Sequence, residues 1–123
     1  MIENREPVEI PKFSDPVEEI PSEEFIRALP KVDLHCHLDG SLRLETIWDL
    51  AQSRGVALPA NSLEELRALF NLQKKTPKSL VEYLKRFDYT LAVLQDAEAL
   101  SRVAYELALD NAAENALYLE GAG

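Results

Sequence analysis

Cysteine, histidine, glycine and basic residues are all scarce in this chain. Cys36 is the single cysteine among 123 residues, so no internal disulfide can form and no thiolate pair can hold a metal. Lysine and arginine number 13 against 22 aspartates and glutamates, for a net charge of -9. Binding along a phosphate backbone needs clustered cations, so a nucleic acid polymer is not an expected partner. No apolar run reaches the length of a membrane span, and the opening MIENREPVEI has no apolar segment that could serve as a secretory signal. A membrane partner is therefore not expected, and the cytoplasm is the expected location. The two histidines, His35 and His37, stand together in KVDLHCHLDGS, residues 31–41.

What is present is a chain of ordinary domain size, with 46% apolar residues, enough for one core. Residues 1–21 form an acidic, proline-rich leader, with prolines at 7, 11, 16 and 21, whose composition suits an extended arm better than a core. Residues 22–123 form the body. Ser22 is placed to cap a short helix that Glu23 and Glu24 favour at its positive end and Pro30 stops. Val32 to Leu38 then alternates as a strand, with Val32, Leu34, Cys36 and Leu38 on one side and Asp33, His35, His37 and Asp39 on the other. Two imidazoles at i and i+2 project the same way, so both can ligate one cation while Cys36 points away. Gly40 permits the turn, and Ser41 is a candidate cap for the next helix.

Four helices are expected between Leu42 and Asn115. The first carries Leu44, Ile47, Trp48 and Ala51 on one face and ends near Gly55. Ser62, Leu63, Glu64 and Glu65 make a capping box for the second, which runs to about Phe70. Thr76 and Pro77 open the third, whose Leu80, Leu84, Phe87, Leu91 and Leu94 form an apolar stripe. The fourth starts at Asp96 and is expected to bury Leu100, Val103, Ala104, Leu107 and Ala108. A second strand follows over Ala116 to Glu120, ahead of Gly121, Ala122 and Gly123.

A strand-borne histidine pair binds zinc through two neutral imidazoles, but a catalytic zinc takes about three protein ligands and an open position. Backbone-bonded, half-buried histidines explain the bare pair equally well. The trailing Asp-Gly-Ser narrows the reading. LPKVDLHCHLDGSLRLETIWDLA resembles the opening strand and first helix of the adenosine deaminase family, metal-dependent members of the amidohydrolase superfamily. KRFDYTL in the third helix and LYLE in the second strand are similar to that family in order and spacing. The resemblance covers residues 22–120.

The resemblance implies an α/β fold, the helix-rich N-terminal part of a TIM (β/α)8 barrel with two of its strands in this chain. It implies zinc-assisted hydrolytic deamination of adenosine, and of 2′-deoxyadenosine, to the inosine product and ammonia, with a purine nucleoside as small-molecule partner. Residue by residue, His35 and His37 would be zinc ligands, Asp39 would accept a hydrogen bond from the ribose 5′-hydroxyl, and Leu80, Tyr83, Leu84 and Phe87 would wall the nucleoside. An aspartate at position 39 favours a free nucleoside, since a carboxylate there repels a 5′-phosphate. As a turn residue before Gly40 it also has a purely structural use.

The family takes its third metal-ligating histidine, its proton-donating glutamate and its remaining aspartates from later strands. The expectation is therefore an N-terminal portion of a longer deaminase, inactive by itself, with a weak or absent metal site and with uncovered barrel surface that drives self-association. Two rival readings come from other classes. One is a non-catalytic helical module whose apolar stripes meet a partner. The other takes ALYLEGAG as a strand entering a dinucleotide-binding loop that lacks its third glycine. Zinc deaminases with a Pro-Cys-x-x-Cys motif are excluded, because Cys36 stands alone.

Overall fold

The computed structural model describes residues 20–71 and 79–122. The acidic leader lies almost wholly outside these residues, as does the helix opening expected at Thr76 and Pro77. Ser22 caps α1 (Glu23–Ala28) by accepting from Phe25 N, and the chain then enters β1 (Lys31–His37) and a short 3-10 turn, Leu38–Gly40. Four helices follow: α2 (Leu44–Arg54), α3 (Leu63–Phe70), α4 (Leu80–Val93) and α5 (Ala97–Ala113). The last element, β2 (Ala116–Ala122), pairs parallel with β1.

Local chemistry explains most of the boundaries. Ser62, Ser79 and Asp96 each accept an amide hydrogen bond three residues on, which satisfies a donor the first helical turn leaves unpaired. Gly55 ends α2 in the left-handed conformation at φ 65°, where a side chain is disfavoured. Ser41 is not the cap of α2. Arg43 holds that position, with no side-chain cap bond, and the Ser41 hydroxyl is turned back to the strand.

The core gathers Leu50, Ala51, Val93, Leu94, Ala99 and Val103 from α2, the end of α4 and α5, with Leu38 and Leu42 packed against it from the turn region. Ion pairs of Arg43 with Asp110, Arg54 with Asp96, and Arg102 with Asp49 tie α2 to α5 around the rim. At the strands' amino ends, Lys31 Nζ donates to the carbonyls of Arg27, Leu29 and Glu114 and so joins α1 to the end of α5.

Three expectations are corrected. The stripe expected on α4 does not pack as a unit: Leu80, Leu84 and Leu91 are exposed while Thr90 and Val93 are buried. On α5, Val103 and Leu107 are buried with Ala99, whereas Leu100, Ala104 and Ala108 face outward. Both helices carry two apolar faces, and contact with α2 selects the narrower one. Finally, β2 does not stop at Glu120. It continues through Gly121 and Ala122, which pair with Cys36 and His37, so Gly121 belongs to a strand and not to a dinucleotide-binding loop.

Candidate active site

The carboxyl end of β1 delivers both histidines to one place. His35 and His37 are exposed, their Nε2 atoms lie 2.9 Å apart, and the rings meet edge-on at 80° with centroids 4.7 Å apart. In the neutral state one Nε2–H donates to the other nitrogen's lone pair. Two nitrogens of a tetrahedral zinc site, each about 2.0–2.1 Å from the metal, stand roughly 3.3–3.4 Å apart. The observed 2.9 Å is about 0.4 Å short of that separation.

Asp39 projects from the turn after the strand, fixed by Leu38 and Leu42 in the core on either side. Its Oδ1 is buried without a hydrogen-bond partner among the described residues, 3.8 Å from His37 Nδ1. Such an acceptor is costly until a donor reaches it. Gly40 follows because the turn runs under α4: a Cβ there would stand 3.2 Å from Phe87 Cε1 and 3.4 Å from Cζ.

A cleft of about 660 Å³ runs between the strand end and α4, lined by His35, His37, Asp39, Tyr83, Leu84 and Phe87 among others. Six of the seven candidate residues thus share one space of the size a small ligand occupies. Leu80 stands outside this lining and is 71% exposed. Tyr83 and Phe87 pack edge to face at 6.0 Å and give the cleft an aromatic wall. An adjoining pocket of about 160 Å³ shares Asp39, Gly40, Tyr83 and Phe87 and is also lined by Ile47, Phe70, Arg86 and Thr90.

Two contributors were not anticipated in these roles. Asp33 Oδ1 accepts from His35 N at 3.1 Å, and Ser41 Oγ donates to the His37 carbonyl at 2.6 Å. A polar residue two before His35 on the same strand face was the available signal for Asp33. Among the described residues no group of three or more histidine, cysteine, aspartate or glutamate side chains could hold a metal. The donor chemistry of the two imidazoles fits zinc, of whose ligand set they would supply two positions.

The model of the family described as Adenosine deaminase matches residues 30–121. The chain belongs to the adenosine deaminase family. Adenosine deaminases of Shewanella woodyi and Vibrio vulnificus are 46% identical over 94 residues and 48% identical over 92, about three quarters of this chain and 28% of each relative. Among solved structures, Arabidopsis ADAL complexed with GMP matches with a TM-score of 0.60 and 35% identity, over 80% of this chain and 28% of that one. The ADAL–IMP complex matches with a TM-score of 0.57 and 34% identity. The chain thus spans little more than a quarter of its relatives' length. Its helix-rich body and parallel strand pair form the N-terminal part of an eight-stranded α/β barrel, with the histidines at the carboxyl end of the first strand, where barrel enzymes place their sites.

Proposed function

We propose that this chain supplies the first-strand portion of a zinc-dependent adenosine deaminase site. The 2.9 Å convergence of His35 and His37 beside Asp39, whose buried Oδ1 accepts no hydrogen bond among the described residues, is the observation that carries the reading. On this reading His35 and His37 hold the zinc through Nε2. A zinc ion supplies Lewis acidity that brings the pKa of water toward neutrality, so that hydroxide is available as nucleophile at physiological pH. Asp39 accepts the hydrogen bond of the ribose 5′-hydroxyl, which satisfies its orphaned oxygen. Tyr83, Leu84 and Phe87 lie along the nucleoside and exclude water from it. Adenosine leaves as inosine with release of ammonia, and 2′-deoxyadenosine is a second substrate, because Asp39 acts at the 5′ end of the sugar.

The solved relatives named above bind the monophosphates GMP and IMP. On this reading Asp39 favours the free nucleoside, since a 5′-phosphate would bring like charge against a carboxylate whose buried Oδ1 already lacks a hydrogen bond among the described residues. The test uses the longer protein that carries the remaining strands, loaded with zinc. Adenosine absorbance is followed beside AMP at equal concentration. The expected result is conversion of adenosine with a kcat/KM at least about tenfold above that for AMP, as one like-charge contact in a partly screened site implies. No absorbance change with adenosine, or faster conversion of AMP, sinks the reading.

By itself the 123-residue chain holds two donors of the zinc set and turns over no adenosine on this reading. Val32 and Leu34 on β1 and Leu117 on β2 are 63%, 65% and 77% exposed, although parallel strands are ordinarily covered on both faces. We therefore propose self-association of the isolated chain, and a stable monomer on size exclusion contradicts it.

A further inference from the structure

Between the pairs Asp33 with Leu119 and Cys36 with Gly121, β1 advances three residues while β2 advances two. The first strand therefore carries one extra residue in its Leu34–His35 stretch, immediately before the histidine pair. An inserted residue breaks the ladder, bends the strand and re-aims its side chains. Left to itself it also leaves backbone groups without a ladder partner, and a loosely held strand end would let the two imidazoles diverge. Two side chains hold the backbone around it, one inside the irregular stretch and one beyond it. The Asp33 carboxylate takes the His35 amide at 3.1 Å, and the Ser41 hydroxyl, four residues beyond His37, takes the His37 carbonyl at 2.6 Å. Ser41 is itself fixed from two sides, by its amide on the Leu38 carbonyl at 3.1 Å and by Cys36 Sγ at 3.3 Å from its hydroxyl.

We propose that Asp33 and Ser41 are positioning residues that bracket the irregular strand end and hold the His35 and His37 imidazoles at metal-chelating separation before any metal arrives. The inference rests on the reading of the histidines as zinc ligands and deepens it. Each acts on the backbone of one ligand, Asp33 through the amide of His35 and Ser41 through the carbonyl of His37. Supporting groups of this kind change metal affinity by about 10- to 100-fold when removed.

The test titrates zinc chloride into the 123-residue chain while the imidazole ring protons of His35 and His37 are followed by NMR. In the unsubstituted chain both rings respond together at one stoichiometry. Asp33→Ala and Ser41→Ala each weaken that response by about tenfold or more, with amide signals outside residues 31–43 unmoved. Asp33→Asn keeps a carbonyl acceptor and Ser41→Thr keeps a hydroxyl, and each stays within about threefold of the unsubstituted chain. Ser41 lies in a turn outside the core, so Ser41→Ala carries the test if Asp33→Ala loses its folded spectrum. Unchanged affinity in the alanine variants, with both rings still responding, overturns the positioning role. Absence of a response at both rings in the unsubstituted chain shows that the pair is not held ready for a metal and overturns the positioning role, while the zinc reading of the complete site is tested separately by diffraction.

Discussion

Replacing Gly40 with alanine separates the stability of the turn from the shape of the cleft. The backbone tolerates a side chain there, since Gly55 is the only glycine with positive φ among the described residues. The effect is then steric: the new Cβ meets Phe87 Cε1 at 3.2 Å and Cζ at 3.4 Å, so the ring must retreat by a few tenths of an ångström. Overpacking a rigid site by one methyl costs about 1–3 kcal/mol, whereas removing a glycine from the unfolded chain returns about 0.4–1 kcal/mol. Phe87 is half-buried, with the open cleft beside it, so the ring can yield and the lower steric figure applies. Gly40→Ala should lose about 0–1 kcal/mol in urea unfolding and yet raise KM for adenosine in the longer deaminase, because the aromatic wall moves with the ring. A loss above about 2 kcal/mol would mean that Phe87 is locked, and an unchanged KM would mean that it does not wall the substrate. Either result refutes the reasoning.

Three further outcomes follow from the packing and the charges. Leu66 is fully buried and is the one buried residue of α3, so Leu66→Ala should cost about 2–5 kcal/mol by urea denaturation. Gly55→Ala has no steric opponent within 4 Å, and the left-handed backbone alone should cost about 1 kcal/mol, read as a lower midpoint at unchanged m-value. Asp96 is held down to about 2, first by its hydrogen bond from Arg54 and then by the Ala99 amide, from an ordinary 3.8. A depressed carboxyl stabilises the fold fully above its unfolded pKa, so this contribution should be lost as pH falls from about 4 toward 2, and Asp96→Asn should flatten that part of a stability–pH curve.

The local signals in the sequence translated directly into structure. Ser22, Ser62 and Asp96 cap helices where hydroxyl or carboxylate precedes an apolar run, and Gly55 ends α2. The alternation around His35 and His37 put both imidazoles in one cleft, because same-face projection on a strand needs only local geometry, and Asp39 joins them from the 3-10 turn that follows. What depends on neighbours was not legible. On α4 the leucine stripe is apolar too, and the placement of α2, α5 and the Leu38–Gly40 turn selects Thr90 and Val93 over Leu84 and Leu91. Ser41 shows the same limit at the site. Its place before a helix suited a cap, but the 3-10 turn over Leu38–Gly40 brings its hydroxyl within 2.6 Å of the His37 carbonyl.

The central claim is that His35 and His37 bind zinc together through Nε2. Anomalous diffraction at the zinc edge, on crystals of the longer protein loaded with one zinc, tests it most directly. The account predicts a single anomalous peak about 2.0–2.1 Å from both Nε2 atoms. A peak bonded to neither histidine, or to one of them alone, would contradict it.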